Sequence, residues 1–271
     1  MTRLPTIAIL GAGSMGGAIL AGLVAAGATD IRVTNRTGEK AALYEGLAGV
    51  TSIALESTPE GNALAVRGAK VVIVGVKPAM VVDLLGTIAD DLEPDAVVVS
   101  VAAGVTTAAM EAVVAASVVR AMPNTPSLVG KGVTGLAAGS RATEADIELA
   151  RSLFELVGSV LVLAEDRIDA LSTISGSGPA YVYFLIEQLT LTARNMGFSE
   201  REAATMVNGT FIGAAELLAA SDVDPAELRR RVTSPQGTTE RAIAVLADAE
   251  LSLVFDRATA AALARARELA G

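Results

Sequence analysis

The sequence predicts an α/β protein: an N-terminal doubly wound sheet followed by an all-helical C-terminal domain. Three observations carry that reading. First, short runs rich in Val and Ile alternate with helical stretches over residues 1–165, the pattern of a sheet covered on both faces. Second, the earliest run, Ile7-Ala8-Ile9-Leu10, leads into Gly11-Ala12-Gly13-Ser14-Met15-Gly16-Gly17 and then an Ala-rich stretch from Ala18 to Ala26. Third, strand signals stop after Asp166, and helical ones persist to Gly271. The expected domains are 1–165, a Rossmann-type dinucleotide-binding domain, and 166–271, an all-α domain for dimerisation and substrate binding.

The glycine spacing is that of a pyrophosphate cradle. Gly11 permits a sharp turn, Gly13 lets the backbone approach phosphates, and Gly16 lets the helix lie close on the strand. The helix N-terminus adds free N–H groups and a partial positive charge. Ser14 and Met15 belong to the same turn. A glycine turn without a ligand has the same local sequence, so its place between strand and helix is what favours a dinucleotide.

The second strand, Ile31-Arg32-Val33, ends near Asn35 and Arg36. NAD-preferring sites carry an acidic residue here for the ribose 2′-hydroxyl. An amide and a guanidinium suit a 2′-phosphate instead, so NADP is expected, with NAD a lesser partner. The bland alternative is a solvated loop arginine.

A polar helix is expected over Gly38 to Ala48, then a short strand near Val50 to Ile53. Val71 to Val76 is a continuous apolar run ending in Lys77-Pro78. Pro78 suits the first position of a helix. Lys77 stands where open α/β sheets bind ligands, though a lysine that merely solvates a loop fits equally. Ala96 to Val101 is the next strand, followed by the small residues Ala102-Ala103-Gly104, which permit either a flat ring or a tight turn. Val118 to Met122 ends in Pro123-Asn124-Thr125-Pro126, a rigid loop. Strands at Thr134–Ala138 and Ser159–Leu163, with a helix over Thr143–Leu156, complete the sheet domain.

In the helical half, Ser175-Gly176-Ser177-Gly178-Pro179 interrupts the chain. The helix expected from Ala180 to Met196 is apolar nearly all round and carries Tyr181, Tyr183 and Phe184. Such a helix must be covered on all sides, which about a hundred residues alone can hardly do. A homodimer packed across this helix is therefore expected. Further helices are expected at Glu200–Ala220, Pro225–Val232, Thr239–Ala249 and Leu251–Ala270. The loop Thr233-Ser234-Pro235-Gln236-Gly237-Thr238-Thr239-Glu240 offers hydroxyls and helix-start N–H groups to a small anion. An ordinary N-cap by Thr238 or Thr239 is the competing and compatible reading.

Composition narrows the chemistry. The chain has 271 residues with neither Cys nor His, so disulfides, thiolate metal sites and histidine general bases are excluded. No metal site is expected. A net charge of −9 argues against nucleic acid. No apolar run reaches the roughly 18–20 residues of a membrane span, and no signal sequence is evident, so a cytoplasmic protein is expected. Mean hydropathy is +0.52, high for such a chain, and the excess apolar surface points to a subunit interface.

Taken together, these pieces resemble pyrroline-5-carboxylate reductases over nearly the whole chain. They are Gly11-x-Gly13-x-Met15-Gly16, Asn35-Arg36, Val76-Lys77-Pro78, Ser100-Val101-Ala102-Ala103-Gly104 and Arg120-x-Met122-Pro123-Asn124-Thr125-Pro126. In the helical half they are Ser175-Gly176-Ser177-Gly178-Pro179-Ala180-Tyr181 and Val232-Thr233-Ser234-Pro235-x-Gly237-x-Thr239. The resemblance implies NADPH-dependent reduction of 1-pyrroline-5-carboxylate to proline. It implies cofactor contacts at Gly13 to Gly16, Asn35, Arg36, Val76 to Pro78 and Ala102 to Gly104. It implies a substrate carboxylate at Ser234, Gly237, Thr238 and Thr239, with Thr239 catalytic beside the ring nitrogen. It also implies a site at a dimer interface, with dimers often assembled into larger rings. Gln236 departs from the glycine usual there and would be strained if its φ were positive.

Two other readings share parts of this pattern. A β-hydroxyacid dehydrogenase needs a lysine in the second domain, and residues 166–271 contain none. A non-catalytic NADPH-binding module would not need the loop at 233–239.

Overall fold

The computed structural model describes residues 4–270. Met1 to Arg3, within the segment where no signal sequence is expected, lie outside the described residues.

Eight strands form one sheet in the order β3-β2-β1-β4-β5-β6-β7-β8. In chain order they are β1 Ile7–Leu10, β2 Ile31–Asn35, β3 Val50–Ala54, β4 Val71–Val74, β5 Val97–Ser100, β6 Ser117–Met122, β7 Gly132–Ala138 and β8 Gly158–Val162. The first six are parallel, with Ile7 opposite both Ile31 and Val71, and Val71 opposite Val97. Their carboxyl ends, where Gly11, Arg36, Gly75 and Val101 follow, therefore emerge along one edge of the sheet. The chain switches sides between β1 and β4, the kind of place where α/β sheets take ligands.

Burial explains the sequence pattern. Ile7, Ile9, Val71, Ile73, Val97 and Val99 belong to one core cluster, and Ala8, Leu10, Val72, Val74 and Val98 to another. Successive side chains point to opposite faces, so burial on both faces requires an unbroken apolar run. Helix α1, Ser14–Ala25, contributes Ile19, Leu20 and Leu23 to the first cluster.

β7 runs antiparallel to β6. The connection 123–131 is too short for a helical crossover, which takes about a dozen residues or more, so the chain folds straight back. It does so through a 3₁₀ turn over Thr125–Val129 and Gly130, whose φ is 69°. This is the rigid loop that the two prolines predict.

Three local expectations are corrected. Helix α2 spans Gly38–Ala42, not Gly38 to Ala48, because the chain turns at Tyr44 and Gly46 takes a φ of 78°. Pro78 opens a 3₁₀ turn, Pro78–Met80, and the α-helix begins only at Val81. The segment around Ser175 does not break the chain open: Ser172–Gly176 is a π-helical turn between two α-helices. Counting from α2, these helices are α3 Gly61–Val66, α4 Val81–Ile88, α5 Thr107–Glu111, α6 Glu144–Phe154, α7 Ile168–Leu171 and α8 Gly178–Asn195. Then come α9 Glu200–Ala219, α10 Pro225–Arg231, α11 Thr238–Asp248 and α12 Leu251–Ala270.

The chain divides into two compact units. One runs through Ser177 and includes the segment from Ala262 on; the other is Gly178–Ala261. Within the second, Ser199 and Glu202 form a capping box at the start of α9, and the Tyr181 and Phe255 rings lie 6.2 Å apart. Its only buried residues are Ala193, Ala203 and Val207. The apolar helix α8 leaves Tyr183 60% and Phe184 59% exposed in a single chain. No helix among the described residues is long and apolar enough to cross a membrane.

Candidate active site

The glycine turn is built by close backbone approach. Gly11 has a φ of 88°, and its N–H donates to the Thr34 carbonyl at 3.0 Å. The Gly75 N–H, at the end of β4, donates to the Leu10 carbonyl at 2.8 Å. A side chain on Gly75 would put its Cβ 2.5 Å from the Gly11 carbonyl oxygen, and one on Gly16 would stand 2.7 Å from the same atom. The ends of β1, β4 and α1 thus converge on a single carbonyl. Gly13 differs: it is exposed, and a Cβ there would meet nothing within 4 Å. It is also the N-cap of α1, with no side-chain cap, which leaves the first-turn N–H groups to another acceptor. Ser14 is exposed and Met15 half-buried beside it.

At the end of β2 the next two predicted residues part company. Asn35 is 4% exposed, and its Nδ2 has no hydrogen-bond partner among the described residues. A buried donor left unpaired costs about 1–3 kcal/mol, so its retention calls for a purpose. Arg36 is exposed. The Arg36 carbonyl accepts from Glu56 N–H, and the Thr37 side chain caps α2, so the backbone carrying both residues is pinned.

Lys77, Pro78, Ala103 and Gly104 line one cavity of about 650 Å³, together with Arg120 and Asp169. Val76 precedes this group, and Ala102 is buried beneath it. Arg120 sits in β6 at 3% exposure. Its guanidinium pairs with Asp169 and lies 3.7 Å from Glu165. The Glu165 carboxylate accepts from both the Thr107 N–H and the Thr107 hydroxyl, each at 2.6 Å. The wall of the cavity is therefore held by a charged network joining β6, α5 and α7.

The sequence pattern does not single out Gly75, Glu165 or Asp169. A signal existed for the carboxylates: an arginine inside the apolar run 118–122 must be paired when buried. Gly75 carried no signal beyond its position, since the clash it avoids is with a distant turn.

In the helical unit, Gly237 is the N-cap of α11 and makes no side-chain cap. The competing reading of a cap by Thr238 or Thr239 is not realised, since they occupy the first two positions of the helix. Gln236 has a φ of 59°, so the strained alternative is the one realised. Its N–H donates to the Glu240 carboxylate at 2.9 Å, which ties the loop back onto the helix. The Gly237 N–H donates to the Ser234 carbonyl at 3.0 Å. Ser234 and Thr238 are exposed, and Thr239 is half-buried.

Comparison with known proteins identifies the family. Residues 165–269 match the family model for pyrroline-5-carboxylate reductase dimerisation. Residues 6–104 match that for NADP oxidoreductase, coenzyme F420-dependent. The pyrroline-5-carboxylate reductase of Pseudomonas aeruginosa is 39% identical, covering 98% of this chain and 97% of its own. The chain belongs to the pyrroline-5-carboxylate reductase family. That of Corynebacterium melassecola is 38% identical, covering 97% and 98%. The solved reductase from Coxiella burnetii superposes with a TM-score of 0.90 at 36% identity, covering 98% of this chain and 99% of that one. The Plasmodium falciparum enzyme, solved with NADP bound, shares the fold with a TM-score of 0.82 at 23% identity, each chain fully covered. The match over residues 165–269 supports oligomer formation.

Proposed function

We propose that this chain catalyses the NADPH-dependent reduction of 1-pyrroline-5-carboxylate to L-proline as a homodimer. The observation that carries the reading is the loop at 233–239 in a chain of this family. It enters α11 through a backbone-only cap and keeps three hydroxyls, those of Ser234, Thr238 and Thr239, at the helix start. A small carboxylate is the natural guest of such a terminus.

The residues of the sheet unit fit a phosphorylated dinucleotide. Gly13 leaves a cradle that a larger side chain would fill, and Asn35 holds a buried donor in need of an acceptor. Gly11, Gly13, Ser14, Met15 and Gly16 would hold the pyrophosphate, and Asn35 and Arg36 the 2′-phosphate. Val76, Lys77, Pro78, Ala102, Ala103 and Gly104 would flank the nicotinamide end. NADH would serve with lower preference. When bound, the reduced cofactor supplies the hydride that converts the cyclic imine to an amine.

The chain's own task is positioning. Backbone N–H groups and hydroxyls at Ser234, Gly237, Thr238 and Thr239 hold the carboxylate and fix one end of the ring. The Thr239 hydroxyl hydrogen-bonds the ring nitrogen. That nitrogen enters protonated, so no histidine is needed to supply a proton. Alignment of this kind can contribute roughly 7–11 kcal/mol to the barrier reduction. The exposed apolar faces of α8 and α9 pack against a second copy, which supplies the cover a single chain lacks. Rings of dimers are a further stage of the same assembly.

The test follows absorbance at the nicotinamide band. Consumption of NADPH with pyrroline-5-carboxylate, and none with a 2-hydroxy acid or a blank, is expected. Oxidation of a 2-hydroxy acid with NADP instead, or no turnover at all, would refute the proposal.

A further inference from the structure

The segment between α2 and β3 reaches back to the glycine turn. The Tyr44 hydroxyl donates to the Ala12 carbonyl at 2.9 Å, bridging 32 positions of sequence. Tyr44 is half-buried and packs against the core cluster beneath α1. Burial raises the phenol above its ordinary pKa, so it remains a donor through neutral pH. Its place is reserved by the helix: a Cβ on Gly17 would stand 2.8 Å from the Tyr44 oxygen, although nothing else lies within 4 Å except the ring carbon bearing that oxygen.

The geometry points to Tyr44 as a positioning residue for the dinucleotide, acting through the peptide between Ala12 and Gly13. This rests on the glycine turn being the pyrophosphate site. A trans peptide is planar, with C=O and N–H pointing in opposite directions. A hydroxyl that fixes the Ala12 carbonyl on the core side therefore fixes the Gly13 N–H on the other. Gly13 itself is exposed, and a side chain there would meet nothing within 4 Å, so the turn has room for a ligand at this N–H. Tyr44 lies two residues beyond α2, whose N-cap Thr37 follows directly on Asn35 and Arg36. One hydroxyl thus links the pyrophosphate end of the cradle to the 2′-phosphate end. Gly17 and Tyr44 form a matched pair: one supplies the hydroxyl, and the other leaves room for it.

The test measures NADPH binding directly, by the cofactor's fluorescence and by calorimetry, on full-length wild type, Tyr44→Phe, Gly17→Ala and the double variant. Tyr44→Phe keeps the ring and removes one neutral hydrogen bond, so about five- to tenfold weaker NADPH binding is expected. At saturating NADPH, kcat and the KM for the imine should stay near wild type. Gly17→Ala should weaken binding similarly by displacing the hydroxyl. In the Tyr44→Phe background it should add little, since both changes break one contact. Equal NADPH affinity in wild type and Tyr44→Phe, or fully additive losses in the double variant, would overturn the inference. If Tyr44→Phe does not fold, unchanged affinity in Gly17→Ala overturns it alone. Gly13→Val separates the underlying reading. If that variant binds NADPH as wild type does, the turn is not the pyrophosphate site. If it loses binding while Tyr44→Phe does not, only the role of Tyr44 falls.

Discussion

Replacing Asn35 by Asp tests the 2′-phosphate assignment at its most buried point. The side chain is 4% exposed, and its Nδ2 is unpaired, so Asp swaps a waiting donor for an acceptor of nearly identical shape. One charge-assisted hydrogen bond to phosphate is lost, about 1.5–3 kcal/mol. A carboxylate and a phosphate about 5 Å apart also repel by roughly 3 kcal/mol per unit charge at an effective dielectric near 20. The sum is at least a hundredfold in affinity. NADH has no 2′-phosphate, and its 2′-hydroxyl can donate to the new carboxylate. The ratio of kcat/KM for NADPH over NADH should therefore fall by about two orders of magnitude or more. The unliganded variant carries a buried carboxylate without a partner, so its folded pKa is raised. Its stability deficit should be present above that pKa and shrink as pH falls through it. Steady-state kinetics with both cofactors and thermal melts at two pH values read both effects. A folded variant whose NADPH/NADH ratio moves less than about threefold would refute the reasoning.

Other expectations follow from the same geometry. Thr239→Ala should lower kcat/KM for the imine about tenfold while leaving the NADPH dissociation constant unchanged; unaltered kinetics would remove Thr239 from the mechanism. Arg120→Met strands two carboxylates that are 25% and 28% exposed. Solvent softens that penalty, so urea unfolding should show about 2–3 kcal/mol of lost stability rather than the larger cost of a fully buried pair. Hydrogen bonds from Arg230 and Arg231 hold the Glu227 carboxyl down to about 2. A lowered carboxyl pKa stabilises the fold above the ordinary value and loses that effect as pH drops through the folded one. The end of α10 should therefore loosen between pH 4.5 and about 2, as seen by NMR titration, and Glu227→Gln should abolish the transition.

Much of the fold was legible because its elements announce themselves locally. Val71 to Val74 and Val97 to Ser100 are buried on both faces, and a nearly unbroken apolar run is the local signature of that condition. The glycine turn was legible for the same reason, since its spacing records contacts within a few residues. What depended on distant partners was not. The direction of β7 follows from a short connection and not from its composition. α2 ends early where the chain turns at Tyr44, whose hydroxyl reaches Ala12. Gly75 is required by the Gly11 carbonyl, and Asp169 by Arg120. At Gln236 the backbone is left-handed, with φ at 59°, a conformation that the residue type alone does not announce.

The scarcity of buried residues between Gly178 and Ala261 has a consequence for how the molecule comes into being. Three small or medium side chains cannot offset the entropy of ordering five helices. In the proposed homodimer these helices gain their solvent-shielded environment from the second copy, and folding and association then become one bimolecular reaction. The melting temperature should rise with protein concentration. Dilution should then cost the helical half its structure before the sheet loses its own.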